Sequence, residues 1–236
     1  MYNFFFYAVP EHFPFLLQGA LVTVELSLIS MLLGTLLGFF LAVGRLSPRR
    51  TLRWPLDAFV EVVRDTPLIV QLLLIYFSLP EAGIVLSAFW AGIAGLTLNL
   101  AAYLSEVFRA AIVAVDKGQR EAAISLGMSP VAVYCRVIIP QAALASLPTL
   151  GGYFIALLKD CSLVSFISVN ELLRHATIVI SDTFDSMDTY IMVAIIYFMM
   201  SFISARIIRY VELWLTPSNR RATLSVPLTM DKEGAR

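Results

Sequence analysis

The sequence predicts an all-α integral membrane protein with about five transmembrane helices. Three observations carry this. Of its 236 residues, 59% are hydrophobic, and the mean hydropathy of +0.81 lies far above that of a water-soluble domain. Uncharged apolar runs recur along the chain, most of them near the ~20 residues that cross a hydrocarbon core. The 17 basic and 17 acidic residues gather mainly between those runs. Balanced charge of this kind offers no field for nucleic acid, and none is expected as a partner.

Residues 1–15 lack a basic leading segment and are broken by Pro10, Glu11 and Pro14, so they do not read as a secretory signal. Phe4, Phe5, Phe6 and Tyr7 are expected to form an interfacial aromatic anchor, with Trp54 and Trp214 doing the same at the opposite face. The first span is the uncharged run 26–44. Within it Ser30, Gly34, Gly38 and Ala42 recur every four residues, a small-residue ladder that lets another helix backbone approach closely. Glu25, near its outer end with Thr23 and Ser27, reads as interfacial.

The second run, 66–80, is short unless residues 61–65 extend it. Glu61, Arg64 and Asp65 are three and four apart and share one helical face, and Thr66-Pro67 then bends or restarts the helix. A charge at the bilayer centre costs on the order of 2.5–3.5 kcal/mol, so these side chains do not face lipid. Two readings stay open. Glu61 and Arg64 line a water-filled path and offer opposite charges to a zwitterion, or they snorkel to the interface as an intrahelical pair.

The third run, 82–105, carries Asn99 and Tyr103 and is followed by Glu106 and Arg109, an interfacial ion pair by spacing. Next comes the one long soluble-looking segment, residues 118–142, tied at both ends to apolar runs. It reads as two short helices. Asp116 caps the first with Gln119 as capping-box partner, Glu121 suits the first turn, and Gly127 ends it in the left-handed conformation. Ser129-Pro130 starts the second, which is expected to run to Pro140. Ala122, Ala123 and Leu126 form a small apolar face suited to a groove on another protein. By chemistry alone, a docking elbow and a solvated connector on the lipid surface are equally open.

The fourth run, 137–158, contains Pro140, Pro148 and Gly151-Gly152, which predict a span neither straight nor uniformly helical. At its far end Lys159-Asp160 stands between apolar stretches, the most costly polar feature of the chain. It reads as a substrate path or gate, with outer-interface anchoring as the alternative. The fifth run is 189–205. Lys and Arg concentrate around 45–53, around 109–136 and from Arg206 onward, which places the N-terminus outside and the 118–142 segment and C-terminus inside. One domain over 1–236 is expected: a membrane core at 17–215, a cytoplasmic loop at about 116–138 and a tail at 216–236. Cys135 and Cys161 fall at different depths and with His12 and His175 make neither a disulfide framework nor a metal site. No H-E-x-x-H, G-x-S-x-G or P-loop occurs, so the chain is not expected to be an enzyme.

Read in order, these fragments resemble a permease subunit of the polar amino acid ABC importers, from about Gly19 to Trp214. The resemblance rests on Arg64-Asp65-Thr66-Pro67-Leu68 with Val70-Gln71; Ala102-Tyr103 with Glu106-Val107-Phe108-Arg109; Gly118-Gln119 with Glu121-Ala122-Ala123 and Leu126-Gly127; Pro140-Gln141; Leu147-Pro148; and Lys159-Asp160 with Ser162-Leu163. The chain departs from the family pattern at Asp65, Gly152 and Cys161, where Gly, Asn and Thr are usual. The resemblance implies a type I importer fold in the bacterial inner membrane, with a second permease, the same or a related chain, beside it. It also implies a dimer of ATP-binding subunits that holds the ATP and Mg, and an extracytoplasmic solute-binding protein that delivers an amino acid. Coupling residues carried over are Glu121, Ala122, Ala123 and Gly127. Pathway residues are Glu61, Arg64, Asp160 and Ser162. A stand-alone channel or ion-coupled carrier is the rival, and it would need no docking loop.

Overall fold

A computed structural model describes residues 9–215. The aromatic anchor expected at residues 4–7 and the tail at 216–236 lie outside them. Every regular element among the described residues is helical: α1 (Val9–Arg45), α2 (Arg50–Asp65), α3 (Leu68–Leu73), α4 (Ala88–Val113), α5 (Lys117–Ser125), α6 (Pro130–Val133), α7 (Ile139–Asp160), α8 (Leu172–Thr183) and α9 (Ser186–Leu215). Four helical stretches are long and apolar enough to cross a membrane: His12–Arg45, Ala88–Val113, Pro130–Ile167 and Ser186–Leu215. Trp54 and Trp214 are both exposed, as interfacial residues would be.

The second predicted span is built differently from the rest. Its apolar stretch, Leu68–Ala82, is too short to count with the other four. It opens as α3, widens into a π-helical turn at Leu74–Ser78, tightens to a 3₁₀ turn at Leu79–Ala82 and stops at Gly83, whose φ of 82° suits glycine. The break from α2 lies at Thr66-Pro67. Pro67 has no N–H, so it cannot donate to the Val63 carbonyl four residues back. Gln71 supplies the missing donor. Its side-chain amide reaches the Val63 carbonyl at 2.7 Å and the Thr66 carbonyl at 2.9 Å. In an apolar surrounding such a repair is what makes a broken helix tolerable.

The predicted small-residue ladder meets α4, the most extensive helix contact in the bundle. A Cβ on Gly38 would stand 2.9 Å from the Ala101 carbonyl oxygen and 3.0 Å from the Leu104 Cβ, and one on Gly34 would strike Leu100. Ala42 is fully buried. The helices close on each other because those side chains are missing.

Two proline expectations need correction. Pro140 does not end the second elbow helix. A π-helical turn at Tyr134–Ile138, in which the Ile139 N–H reaches back to the Tyr134 carbonyl, absorbs the misfit, and α7 runs on through Pro140. Nor do Pro148 and Gly151-Gly152 interrupt α7. Gly151 is there for packing, since a Cβ would collide with Ile208 of α9.

At the other end of the bundle Glu171, fully buried, caps α8. It accepts from the Leu173 and Arg174 N–H groups at 2.9 and 2.7 Å and from the Tyr197 hydroxyl at 3.0 Å. Thr23 of α1 accepts from the Leu172 N–H at 3.2 Å, so α1, α8 and α9 are tied at one point. The cap itself is local, but Glu is outside the usual N-cap set and its third donor, Tyr197, is 26 residues away.

Replacing Gln71 by Met keeps its length and leaves the Val63 and Thr66 carbonyls without a donor. The expected loss is about 1–3 kcal/mol. It is read as a lower thermal unfolding midpoint in detergent, and an unchanged midpoint would remove Gln71 from this role.

Candidate functional site

A cavity of about 430 Å³ opens where the α2–α3 break faces α4 and α7. Helix α4 contributes Leu96, Asn99, Leu100 and Tyr103, and α7 contributes Tyr153, Ala156, Leu157 and Asp160. Both sets follow the same three- and four-residue steps, so each helix offers a single face. The break supplies Arg64, Asp65, Thr66, Pro67 and Leu68. Because the chain leaves helical geometry there, the last charges of α2 turn toward the void.

Arg64 holds the centre of this arrangement. Its guanidinium carbon lies 5.4 Å from the Tyr103 ring centroid, a cation–π contact, and its Nη1 is 3.9 Å from Glu106 Oε1. The Tyr103 hydroxyl donates to the Arg64 carbonyl at 3.3 Å, and the Tyr153 ring centroid is 6.0 Å from that of Tyr103. Asn99 donates to Gln71 Oε1 at 3.4 Å, so the group that repairs the break also orients a lining amide. One guanidinium, two carboxylates and two phenol rings thus border a space of small-molecule size.

Of the sequence-predicted pathway residues, Arg64 and Asp160 come together here. Glu61 and Ser162 do not line the cavity. Glu61 is exposed one turn before Asp65, and the Ser162 carbonyl accepts from the Ser165 hydroxyl at 2.7 Å. Tyr153 was not singled out in the sequence, although its three- and four-residue steps to Ala156, Leu157 and Asp160 carried the signal.

Beside the cavity lies a charge cluster. Arg45 ends α1 with its side chain only 9% exposed. Its Nε donates to Asp57 Oδ1 at 2.6 Å, its Nη2 to Glu106 Oε1 at 2.6 Å and its Nη1 to the Ser105 hydroxyl at 3.0 Å. Arg109 holds the other oxygen of Glu106 at 2.9–3.0 Å. The expected Glu106–Arg109 pair therefore forms, yet it is only the edge of a larger set. Glu106 is shared by Arg45, Arg109 and, more loosely, Arg64. Sequence spacing treats Arg45 as an ordinary loop charge, because its partners lie on α2 and α4.

Helices α5 and α6 form a short elbow. The Asp116 carboxylate accepts from the Gly118 N–H at 2.7 Å. At the far end Gly127, at φ 78°, lets its own N–H reach the Ile124 carbonyl and the Met128 N–H reach the Ala123 carbonyl, a Schellman closure. The Ser129 hydroxyl then accepts from the Ala132 N–H at 3.3 Å, with Pro130 in the first turn. The predicted apolar face divides in two. Ala123 turns inward and is 4% exposed, in one cluster with Ile112, Val133, Ile138 and Ala142, because only a small side chain lets α5 lie this flat. Leu126, 83% exposed, and Ala122 and Glu121, also exposed, face outward.

Comparison with known proteins supports the same architecture. The family described as the binding-protein-dependent transport system inner membrane component matches residues 34–216. The probable amino-acid ABC transporter permease protein YckA of Bacillus subtilis (strain 168) is 40% identical over 83% of this chain and 86% of its own length. The arginine transport system permease protein ArtQ of the same organism is 34% identical over 89% of this chain and 96% of its own. Among solved structures, a chain in the crystal structure of an amino acid ABC transporter with histidines superposes with a TM-score of 0.82 at 39% identity, over 88% of this chain and 97% of its own.

Replacing Arg45 by Met leaves Asp57 and Glu106 facing each other without their shared cation. With Asp57 42% and Glu106 26% exposed, the cost falls between surface and buried pairs, about 2 kcal/mol. A double-mutant cycle with Glu106→Gln checks this by thermal unfolding. Additive losses would show that the pair is not coupled.

Proposed function

The chain belongs to the family of binding-protein-dependent transport system inner membrane components, and we propose that it is the permease subunit of an ATP-driven importer for a polar amino acid. One observation carries the substrate class: the cavity at the α2–α3 break brings a cation, Arg64, and the carboxylates of Asp65 and Asp160 to one void of amino-acid size. A zwitterion needs both signs within its own length, and aromatic rings beside Arg64 limit the shape that enters. The relatives, which include an arginine and an L-cystine transport system permease protein, agree with such a ligand. Glu61 extends the charged face of α2 one turn beyond the cavity, and Ser162 follows Asp160 directly, so both belong to the approaches.

The elbow serves the second half of the task. With the basic residues inside, α5 and α6 project into the cytoplasm, where Glu121, Ala122 and Leu126 present themselves to an ATPase subunit. ATP and Mg are held by that subunit, as a dimer, and not by this chain. A second permease, identical or related, completes the path in the bacterial inner membrane, and an extracytoplasmic solute-binding protein delivers the ligand. Ala123 and Gly127 keep the elbow's shape, the first by packing and the second by closing the turn.

The assembled transporter in vesicles tests both halves. Asp160→Asn and Arg64→Gln each remove a charge-assisted contact of about 1.5–3 kcal/mol, so transport should fall roughly ten- to hundredfold with the complex intact. Rates and substrate preference left unchanged by both variants would take the cavity out of the path. Gly127→Val forces a β-branched residue into a left-handed backbone, and Glu121→Ala strips the exposed face. Both are expected to uncouple ATP hydrolysis from substrate, measured as loss of substrate-stimulated ATPase activity. ATP-independent uptake by this chain alone would favour a carrier instead.

A further inference from the structure

We propose that the groove between the ends of α1 and α4 and the π-helical turn binds an anionic phospholipid, acyl chain in its apolar arm and phosphate against Lys117 and Arg120. The groove has two adjoining arms. The apolar arm, about 370 Å³, runs between Val43 and Leu46 of the α1 end, Ile112 of α4, and Val131, Tyr134 and Ile139. The second arm, about 210 Å³, shares Leu46, Ile112 and Tyr134 with the first and adds Asp116, Lys117 and Arg120. Tyr134 therefore stands at the junction, with the Arg120 guanidinium 5.9 Å from its ring centroid.

The charges at the mouth are free to receive an anion. Neither Lys117 nor Arg120 enters an ion pair among the described residues. The one carboxylate there, Asp116, already accepts the Gly118 N–H. Two cations beside a mainly apolar slot select an occupant with an apolar body and an anionic head. The location fixes which occupant. The membrane-length stretches of α1 and α4 end at Arg45 and Val113, and with the orientation proposed above the slot would sit near the cytoplasmic headgroups. Val131 is 72% exposed and Val113 63% exposed, so the rim of the slot is not closed by the chain itself. A free phosphate would leave the apolar arm unfilled, and a basic pocket at a helix boundary is the usual site for an acidic headgroup.

Native mass spectrometry of the assembled transporter, loaded with phosphatidylglycerol or with phosphatidylcholine of the same chains, tests this. The wild type should retain phosphatidylglycerol in preference. Lys117→Gln and Arg120→Gln should each weaken that preference about fivefold, while phosphatidylcholine is held as before. Val131→Trp, at an exposed position, should fill the apolar arm and reduce retention of both lipids without dissociating the subunits. Equal retention of the two lipids by the wild type, or an unchanged preference in the double charge variant, would overturn the proposal. So would displacement of phosphatidylglycerol by inorganic phosphate at equal concentration, or binding to the permease alone that vanishes when the ATPase subunits assemble.

Discussion

The missing N–H of Pro67 is the constraint from which the cavity follows. A continuous helix through residues 50–82 would carry Arg64 and Asp65 around its own axis and satisfy every carbonyl internally. The proline forbids that, and in a membrane an unpaired carbonyl is too costly to leave. Gln71 settles the cost by donating to two carbonyls at once, and its own oxygen then receives Asn99. The break is thus fixed rather than loose, and it holds the charged end of α2 against α4 and α7. A void between three helices, bordered by opposite charges, results from one absent proton and the side chain that replaces it.

The wall behind that void is held differently. Helices α1 and α4 meet through absent side chains at Gly34 and Gly38, which gives close contact with little directional content. Direction comes from Arg45 at the end of the seam, bound to Asp57 of α2 and to Glu106 of α4. Packing sets how near the helices stand, and the charge cluster sets their register. Since Glu106 also reaches toward Arg64, the cluster that positions the helices borders the group that faces the cavity.

Most of the helical architecture was legible in the sequence because its determinants are local or periodic. The four-residue ladder named its own packing face, and Asp116, Gly127 and Ser129 stated the elbow's turns through the backbone conformations they favour. What was not legible depends on partners far along the chain. Pro140 reads as a stop, and only a widened turn just before it lets the helix pass. Gly151 reads as a breaker and is an allowance for Ile208. Arg45 reads as one of several loop arginines, and Glu171 gives no sign of its tie to Tyr197. For the site, Arg64 and Asp160 stood out as charges among apolar residues. Glu61 stood out for the same reason, yet it lies one turn before the void on the same face, because shared spacing fixes a helical face and not how far along it the cavity reaches.

The elbow and the cavity are joined by the same two helices. Ala123 of α5 packs on Ile112 near the end of α4 and on Ile138 and Ala142, which flank the start of α7. Farther along, α4 and α7 present Tyr103 and Tyr153 to the cavity. A push on the outer face of α5 cannot be absorbed at Ala123, where there is no slack in a side chain of one carbon. It must pass into both helices together. On that route lies the π-helical turn at Tyr134–Ile138, where the regular α-helical bonding is interrupted. If that turn yields, motion of the elbow would tilt α7 about it relative to α4, which Gly38 and Arg45 hold to α1. The faces bearing Asp160 and Asn99 would part or close as a consequence. A foreign motor acting on an exposed surface could in this way change the opening of a cavity it never touches.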